Sequence, residues 1–219
     1  MGLCGQSLHL SFSGYKPNPK LRIPNSNKIL HTQYMLDLTQ VDKTWTLFLD
    51  RDGVFNHDKE GSYIFNTGEF VFYDGVAAAM KIFNDLFANI IVVTNQRGVG
   101  KGLMSELNLM EIHNKMLQDT EAAGGRIDAI YYATSLDNSH PERKPHPGMA
   151  LKAKTDIPEI DFSKSIMVGN NLSDMEFARN TGMHAVFLTT TQPGLPLPHP
   201  SIDMVFNSLL KFAEALPVK

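Results

Sequence analysis

Two carboxylates stand two residues apart in Asp50-Arg51-Asp52-Gly53-Val54, at the end of the apolar run WTLFLD over 45–50. Such a pair at a strand end can divide the labour of group transfer. One carboxylate serves as nucleophile and the other as general acid and base. Gly53 permits the sharp turn that such a motif needs. Asp-x-Asp-Gly also occurs in calcium loops, but the regular ligand series and closing Glu of those loops are missing here. Taken alone the motif is equally readable as a solvated Asp-Gly turn.

Three more polar groups fall at or just past apolar runs. Thr94-Asn95-Gln96 closes NIIVVT and precedes a loop with Gly98, Gly100 and Gly102. Hydroxyl, amide and backbone donors there could hold phosphoryl oxygens, although the stretch is no Walker loop, since no Gly-Lys-Ser/Thr ends it. In Arg143-Lys144-Pro145-His146-Pro147 a lysine beside two prolines is a rather fixed positive charge, suited to balancing a phosphate. Gly169-Asn170-Asn171-Leu172-Ser173-Asp174 offers oxygen ligands that suit magnesium, which takes few protein carboxylates and keeps several waters. The plainer alternatives are a polar loop, a surface lysine and a helix cap, the last with Ser173 at the N-cap and Asp174 in the first turn.

These groups need a scaffold that brings strand ends together. Apolar runs at 45–50, 89–94, 128–132, 165–168 and 185–188 read as strands buried on both faces. Helical spacing separates them. Val76, Ala79, Met80, Phe83, Leu86 and Phe87 form one stripe. Leu109, Met110, His113, Met116 and Leu117 form another, capped by Ser105 and stopped at Gly124-Gly125. Pro147 suits a first helical position, and Ser173 with Glu176 has capping-box spacing before a stop at Gly182. Strand-helix alternation predicts an α/β fold: a single doubly wound (Rossmann-like) parallel sheet with helices on both faces. Ligands of such sheets bind beyond the carboxyl ends of the strands. Residues 63–73, with two apolar runs around Asn66-Thr67-Gly68, read as a small hairpin flap. No stretch is long enough for a large cap domain.

The 219 residues carry a formal net charge of −3, with 42% hydrophobic and 20% charged residues. That balance argues against a dedicated nucleic-acid or membrane-surface protein. The single Cys4 excludes an intramolecular disulfide and any multi-cysteine metal site. No apolar run approaches a spanning helix, and no secretory signal is recognisable, so a cytoplasmic location is expected. Residues 1–40 are rich in Ser, Asn, Pro and Lys and read as an irregular arm ahead of a hydrolase domain over 41–219, with Met35 an alternative start.

The order and strand-end placement of the four groups resemble the haloacid dehalogenase superfamily of phosphohydrolases. Asp50-x-Asp52-Gly53, Thr94, Lys144 and Gly169–Asp174 match its four motifs in order. LDRDGV, VVTNQ and RKPHPGM are similar to the branch that contains heptose bisphosphate and histidinol-phosphate phosphatases. The resemblance implies that Asp50 is the nucleophile and Asp52 the general acid and base. It implies that Thr94 and Asn95 bind phosphoryl oxygens, that Lys144 neutralises charge and that Arg143 contacts substrate. Magnesium would be held by Asp50, the Asp52 carbonyl and Asn170, with Asp174 as the second carboxylate of the metal site. The implied substrate is a small phosphomonoester, a sugar or polyol phosphate by analogy with the branch, with histidinol phosphate or a nucleotide as alternatives. A monomer or small homo-oligomer is expected.

Two departures stand out. The fourth motif usually begins Gly-Asp and here begins Gly169-Asn170, which removes one negative charge and predicts weaker magnesium binding. Some relatives carry a cysteine-rich zinc loop before Arg-Lys-Pro. Residues 133–142 hold no cysteine and only His140, so no structural zinc is expected and His146 is read as a supporting or surface residue. Two rival readings follow: a phosphotransferase using the same chemistry, and a phosphate-ligand-binding domain disabled through Asn170.

Overall fold

The computed structural model describes residues 36–217, so most of the stretch read as an arm, including Met35, lies outside the described residues. Six parallel strands form one open sheet in the order β3-β2-β1-β4-β5-β6. They are β1 (Thr46–Leu49), β2 (Asn89–Asn95), β3 (Ala129–Ala133), β4 (Ser165–Gly169), β5 (His184–Leu188) and β6 (Met204–Phe206). The helices are α1 (Val76–Leu86), the single turn α2 (Arg97–Gly100), α3 (Glu106–Ala122), α4 (Gly148–Asp156), α5 (Leu172–Thr181) and α6 (Leu209–Glu214).

The continuous apolar runs follow from burial on both faces. All four residues of β1 and all five of β4 are buried. Alternate side chains enter two separate cores. Leu47, Leu49, Ile90, Val92, Ile166 and Val168 pack with Phe83, Ile112 and Phe212 of α1, α3 and α6. Phe48, Ile91, Val93 and Met167 pack with Ala150 and Phe177 of α4 and α5 on the other face. This is the doubly wound parallel sheet expected from the sequence. Leu36 and Val41, on either side of the residue-40 boundary expected from composition, are both buried in the first core.

Register aligns the motifs. Leu49 pairs with Val92 of β2 on one side and Val168 of β4 on the other. Asp50, Thr94 and Asn170 therefore leave the sheet at one edge. Ser105 caps α3, and Gly124 and Gly182, at φ 83° and 81°, follow the ends of α3 and α5 as expected.

Three expectations need correction. The cap of α5 is Asn171, whose Oδ1 accepts from the Ser173 N–H, while Asp174 returns to accept from the Asn171 N–H; Ser173 lies inside the first turn and Glu176 has no part in the box. Pro147 is the N-cap of α4 rather than its first residue. The arms of 63–73 do not pair with each other. Instead His57 N–H donates to the Val71 carbonyl and Tyr73 N–H to the Phe55 carbonyl, so the far arm closes on the segment after the first motif. Burial of Ile64 and Phe70 in the first core, the Asn66 turn and the Lys59–Glu69 ion pair hold this flap as a loop. Finally, β6 and α6 were not anticipated: three and six residues are too short to show a period.

Phe83 is fully buried between Phe87 and Phe212, with ring centroids 5.9 and 5.6 Å away. Phe83→Ala should lower unfolding free energy by about 3–5 kcal/mol in urea denaturation.

Candidate active site

A cleft of about 270 Å³ opens at the carboxyl edge of the central strands. Its floor holds Asp50, Asp52, Thr94, Asn95, Arg143, Lys144, Asn170 and Asp174, and its rim holds Asp58, Lys59, Ser62, Tyr63 and Ile64 of the flap. All the residues expected at the site are thus brought together. A larger depression of about 380 Å³ beside the edge strand β3 contains none of them.

Lys144 is at the centre. Its ammonium donates 2.8 Å to Asp50 Oδ1, 2.7 Å to Asp174 Oδ1 and 2.8 Å to the Val93 carbonyl. Three acceptors match its three protons. Burial alone would lower the pKa of Lys144, but the Asp174 and Asp50 charges outweigh it and raise the pKa, so the side chain stays charged. The reverse holds at Asp50. Burial raises its carboxyl to about 6, with Asp174 and Asp52 adding to the rise and Lys144 opposing it.

Asp52 faces the cleft, yet both its oxygens are held. Arg51 Nη2 donates to both at 2.9 Å, Asn56 Nδ2 to Oδ1 at 3.0 Å and Gln96 Nε2 to Oδ2 at 2.9 Å. Burial would raise this carboxyl, but the Arg51 charge and these hydrogen bonds hold it below the usual value. Gln96 Nε2 also donates to Thr94 Oγ1, which leaves the Thr94 hydroxyl proton free for an incoming acceptor. Arg143 Nη1 is buried without an acceptor among the described residues, as suits a group awaiting an anion.

Two side chains have tasks other than those expected. Asn95 Oδ1 accepts from the Lys144 N–H and its Nδ2 donates to the Lys144 carbonyl, so the amide locks the lysine backbone and does not reach for phosphoryl oxygens. Asp174 is 1% exposed, with Oδ1 on Lys144 and Oδ2 on the Asn171 N–H. It is the second counter-charge of Lys144. His140 Nδ1 accepts from the Glu142 N–H and the His146 ring bonds the Asn138 carbonyl, so both histidines serve their own loop.

Asn170 is the residue that bears on a cation. Its Nδ2 donates to Thr191 Oγ1 at 2.8 Å, while its Oδ1 is buried and has no hydrogen-bond partner among the described residues. A Cβ on Gly53 would come within 2.1 Å of that amide, so glycine is required there. A lone buried carbonyl oxygen beside Asp50 fits a hard divalent cation. Among the described residues no three His, Cys, Asp or Glu side chains converge as a metal set.

Arg51, Asn56, Thr191 and His113 were not singled out from sequence. Arg51 was legible only as the residue between the two aspartates. His113 was visible as one position of a helical stripe.

A nucleophile candidate at the end of β1, a second carboxylate two residues on and a lysine buried between strand ends in the loop after β3 are the arrangement of a phosphoryl-group hydrolase of the α/β class. The sequence profile of the HAD-hydrolase-like family matches residues 142–211. The D-glycero-alpha-D-manno-heptose-1,7-bisphosphate 7-phosphatase of Mycobacterium tuberculosis is 37% identical over 173 residues, 78% of this chain and 91% of that protein. The D-glycero-beta-D-manno-heptose-1,7-bisphosphate 7-phosphatase of Escherichia coli K12 is 34% identical, covering 78% of this chain and 92% of that protein. Among solved structures, the D,D-heptose 1,7-bisphosphate phosphatase from B. bronchiseptica, complexed with magnesium and phosphate, superposes with a TM-score of 0.69 at 25% identity, covering 78% and 96% of the two chains. This chain belongs to the haloacid dehalogenase-like hydrolases, among the phosphoric monoester hydrolases of that family. Among the described residues no helix is long and apolar enough to cross a membrane.

Two outcomes are expected at this site. In the metal-free protein Asp50 should titrate near pH 6 by carboxyl-carbon NMR, ionised above and protonated below, and magnesium should move that midpoint down because a cation favours the charged form. Asn170→Asp should tighten magnesium binding by about an order of magnitude in calorimetry, since ligand charge sets affinity for hard cations.

Proposed function

We propose that this protein is a magnesium-dependent phosphatase that removes a phosphoryl group from a phosphorylated sugar, of the heptose bisphosphate type, through a phosphoenzyme on Asp50. The carrying observation is the Lys144 ammonium held against Asp50 at the floor of the cleft. The curated relatives that cover most of this chain, both named as heptose bisphosphate phosphatases, supply the substrate class.

Asp50, ionised at neutral pH, attacks phosphorus with one carboxylate oxygen. The O–P bond to the sugar breaks, and the leaving oxygen takes a proton from the Asp52 carboxyl. The free protein holds Asp52 ionised, and the negative phosphate arriving beside it pushes its pKa back up. In the second half Asp52 takes a proton from water, which attacks phosphorus and releases phosphate and the Asp50 carboxylate. Lys144 offsets charge on Asp50 throughout, and the Thr94 hydroxyl donates to a phosphoryl oxygen. Magnesium, held by the Asp50 carboxylate, the Asp52 carbonyl and Asn170 Oδ1, would supply positive charge to the transferring phosphoryl group. Arg143, with its unpartnered Nη1, binds an anionic or hydroxyl group on the remainder of the sugar.

The test is phosphate release with magnesium from heptose 1,7-bisphosphate, sugar monophosphates and nucleoside monophosphates. Wild type should release free phosphate fastest from the sugar substrates, and Asp50→Asn should lose activity by about 10⁴-fold or more. An Asp50→Asn variant as active as wild type would sink the mechanism. Transfer of the phosphoryl group to a second sugar, without free phosphate, would identify a phosphotransferase.

A further inference from the structure

Arg51 is the largest fully buried side chain of the described residues. A guanidinium does not shed its charge in a protein, so each buried N–H needs an acceptor. Its Nε and Nη2 face Asp52 and Gln96. Its Nη1 lies 3.3 Å from Nε2 of His113, on the buried stripe of α3 between Ile112 and Met116. Burial first, and then the Arg51 charge, push the His113 ring down to about 3, so it is neutral at physiological pH. A neutral ring with its proton on Nδ1 presents a lone pair at Nε2, the atom turned toward Arg51. A histidine that merely filled the core would have no need to meet a guanidinium.

We propose that His113 is a positioning residue for proton transfer to the leaving group: through Arg51 it fixes the plane of the Asp52 carboxyl in the cleft. The inference rests on the reading of Asp52 as general acid and base. A carboxyl at a loop position turns about two side-chain bonds, whereas proton transfer needs it within about 2.6–3.2 Å of the leaving oxygen. Arg51 Nη2 touches both Asp52 oxygens, and Nε adds a third contact at 3.2 Å, which sets both place and plane. Asn56 and Gln96 hold Asp52 from the other side, and His113 anchors the far nitrogen of the fork itself. Without the His113 acceptor, Nη1 is buried and unsatisfied, and the guanidinium gains by turning to find another partner. His113 touches neither substrate nor cation and acts only through Arg51.

A positioning role for the acid predicts a loss that depends on the leaving group. A sugar alkoxide is a poor leaving group and needs the proton, while the 4-nitrophenolate of 4-nitrophenyl phosphate leaves without one. The readout is single-turnover release of the alcohol or phenolate from both substrates with magnesium, which isolates the first half-reaction. His113→Leu should slow sugar release by about 10-fold or more while nitrophenolate release changes by less than about 2-fold, and His113→Gln, whose amide oxygen can accept from Nη1, should recover most of the lost rate. If His113→Leu does not fold, His113→Asn, whose shorter amide stops short of Nη1, takes its place. Asp52→Asn separates this proposal from the reading it rests on. Selective slowing of sugar release in Asp52→Asn, with equal slowing of both substrates in the His113 variants, would overturn the role of His113 and leave the acid intact. Equal slowing of both substrates in Asp52→Asn would remove the acid assignment and the proposal together.

Discussion

The site depends on one buried cation. Lys144 stands between Asp50 at the end of β1 and Asp174 in the first turn of α5, with the Val93 carbonyl of β2 as its third acceptor. The Asn95 amide clasps the lysine backbone from both sides. One ammonium thus joins the end of β1, strand β2 and the first turn of α5 to the loop after β3. Removing one partner of a buried pair typically costs about 3–5 kcal/mol, because the other charge is left uncompensated. Here, loss of the lysine would leave two buried carboxylates facing each other. The arrangement proposed to offset charge during phosphoryl transfer is therefore also what keeps the carboxyl edge of the sheet together.

The remaining charges are arranged around that pair. Arg51 cancels Asp52 from beneath, and the Lys144 cluster, Asp50 and Asp174 against one ammonium, carries a single net negative charge. A carboxylate at position 170 would add a second. The amide in its place keeps the oxygen and gives up the charge, and its Nδ2 bond to Thr191 orients that oxygen inward. Thr190, its neighbour, donates to the Gly53 carbonyl, so the loop after β5 braces both sides of the proposed cation position. The cation and the phosphoryl group it would attend are expected to need each other more than in a site with a full complement of carboxylates.

The flap borders the cleft, whereas the loop over 133–142 lines the separate depression beside β3. The flap brings Lys59, Ser62 and Tyr63 to the rim, and its closing arm hydrogen-bonds to residues 55–57, directly after the first motif. The rim of the cleft is therefore continuous with the loop that carries Asp50 and Asp52. Under the proposed function, a change in flap sequence would alter which substrate is held without disturbing the strand ends.

The sequence by itself determined the parallel sheet, because strands buried on both faces must be apolar throughout and the helices between them show an unmistakable period. It also determined which residues gather, since β1, β2 and β4 in parallel register bring Asp50, Thr94 and Asn170 to one edge wherever the helices pack. It left open what each polar atom does there. Asn95 and Asp174 have the composition of ligands, and only their three-dimensional neighbours show them holding Lys144. The flap pairs with residues 55–57 because Ile64 and Phe70 are drawn into the core, a preference no alternation pattern expresses. The cap of α5 fell to Asn171 because Asp174, already turned toward Lys144, could close the box there. The contact between Arg51 and His113, 62 residues apart, follows from how α3 packs on the sheet. Periodicity records which side of an element is buried, and the partner a buried polar atom meets is decided only by packing.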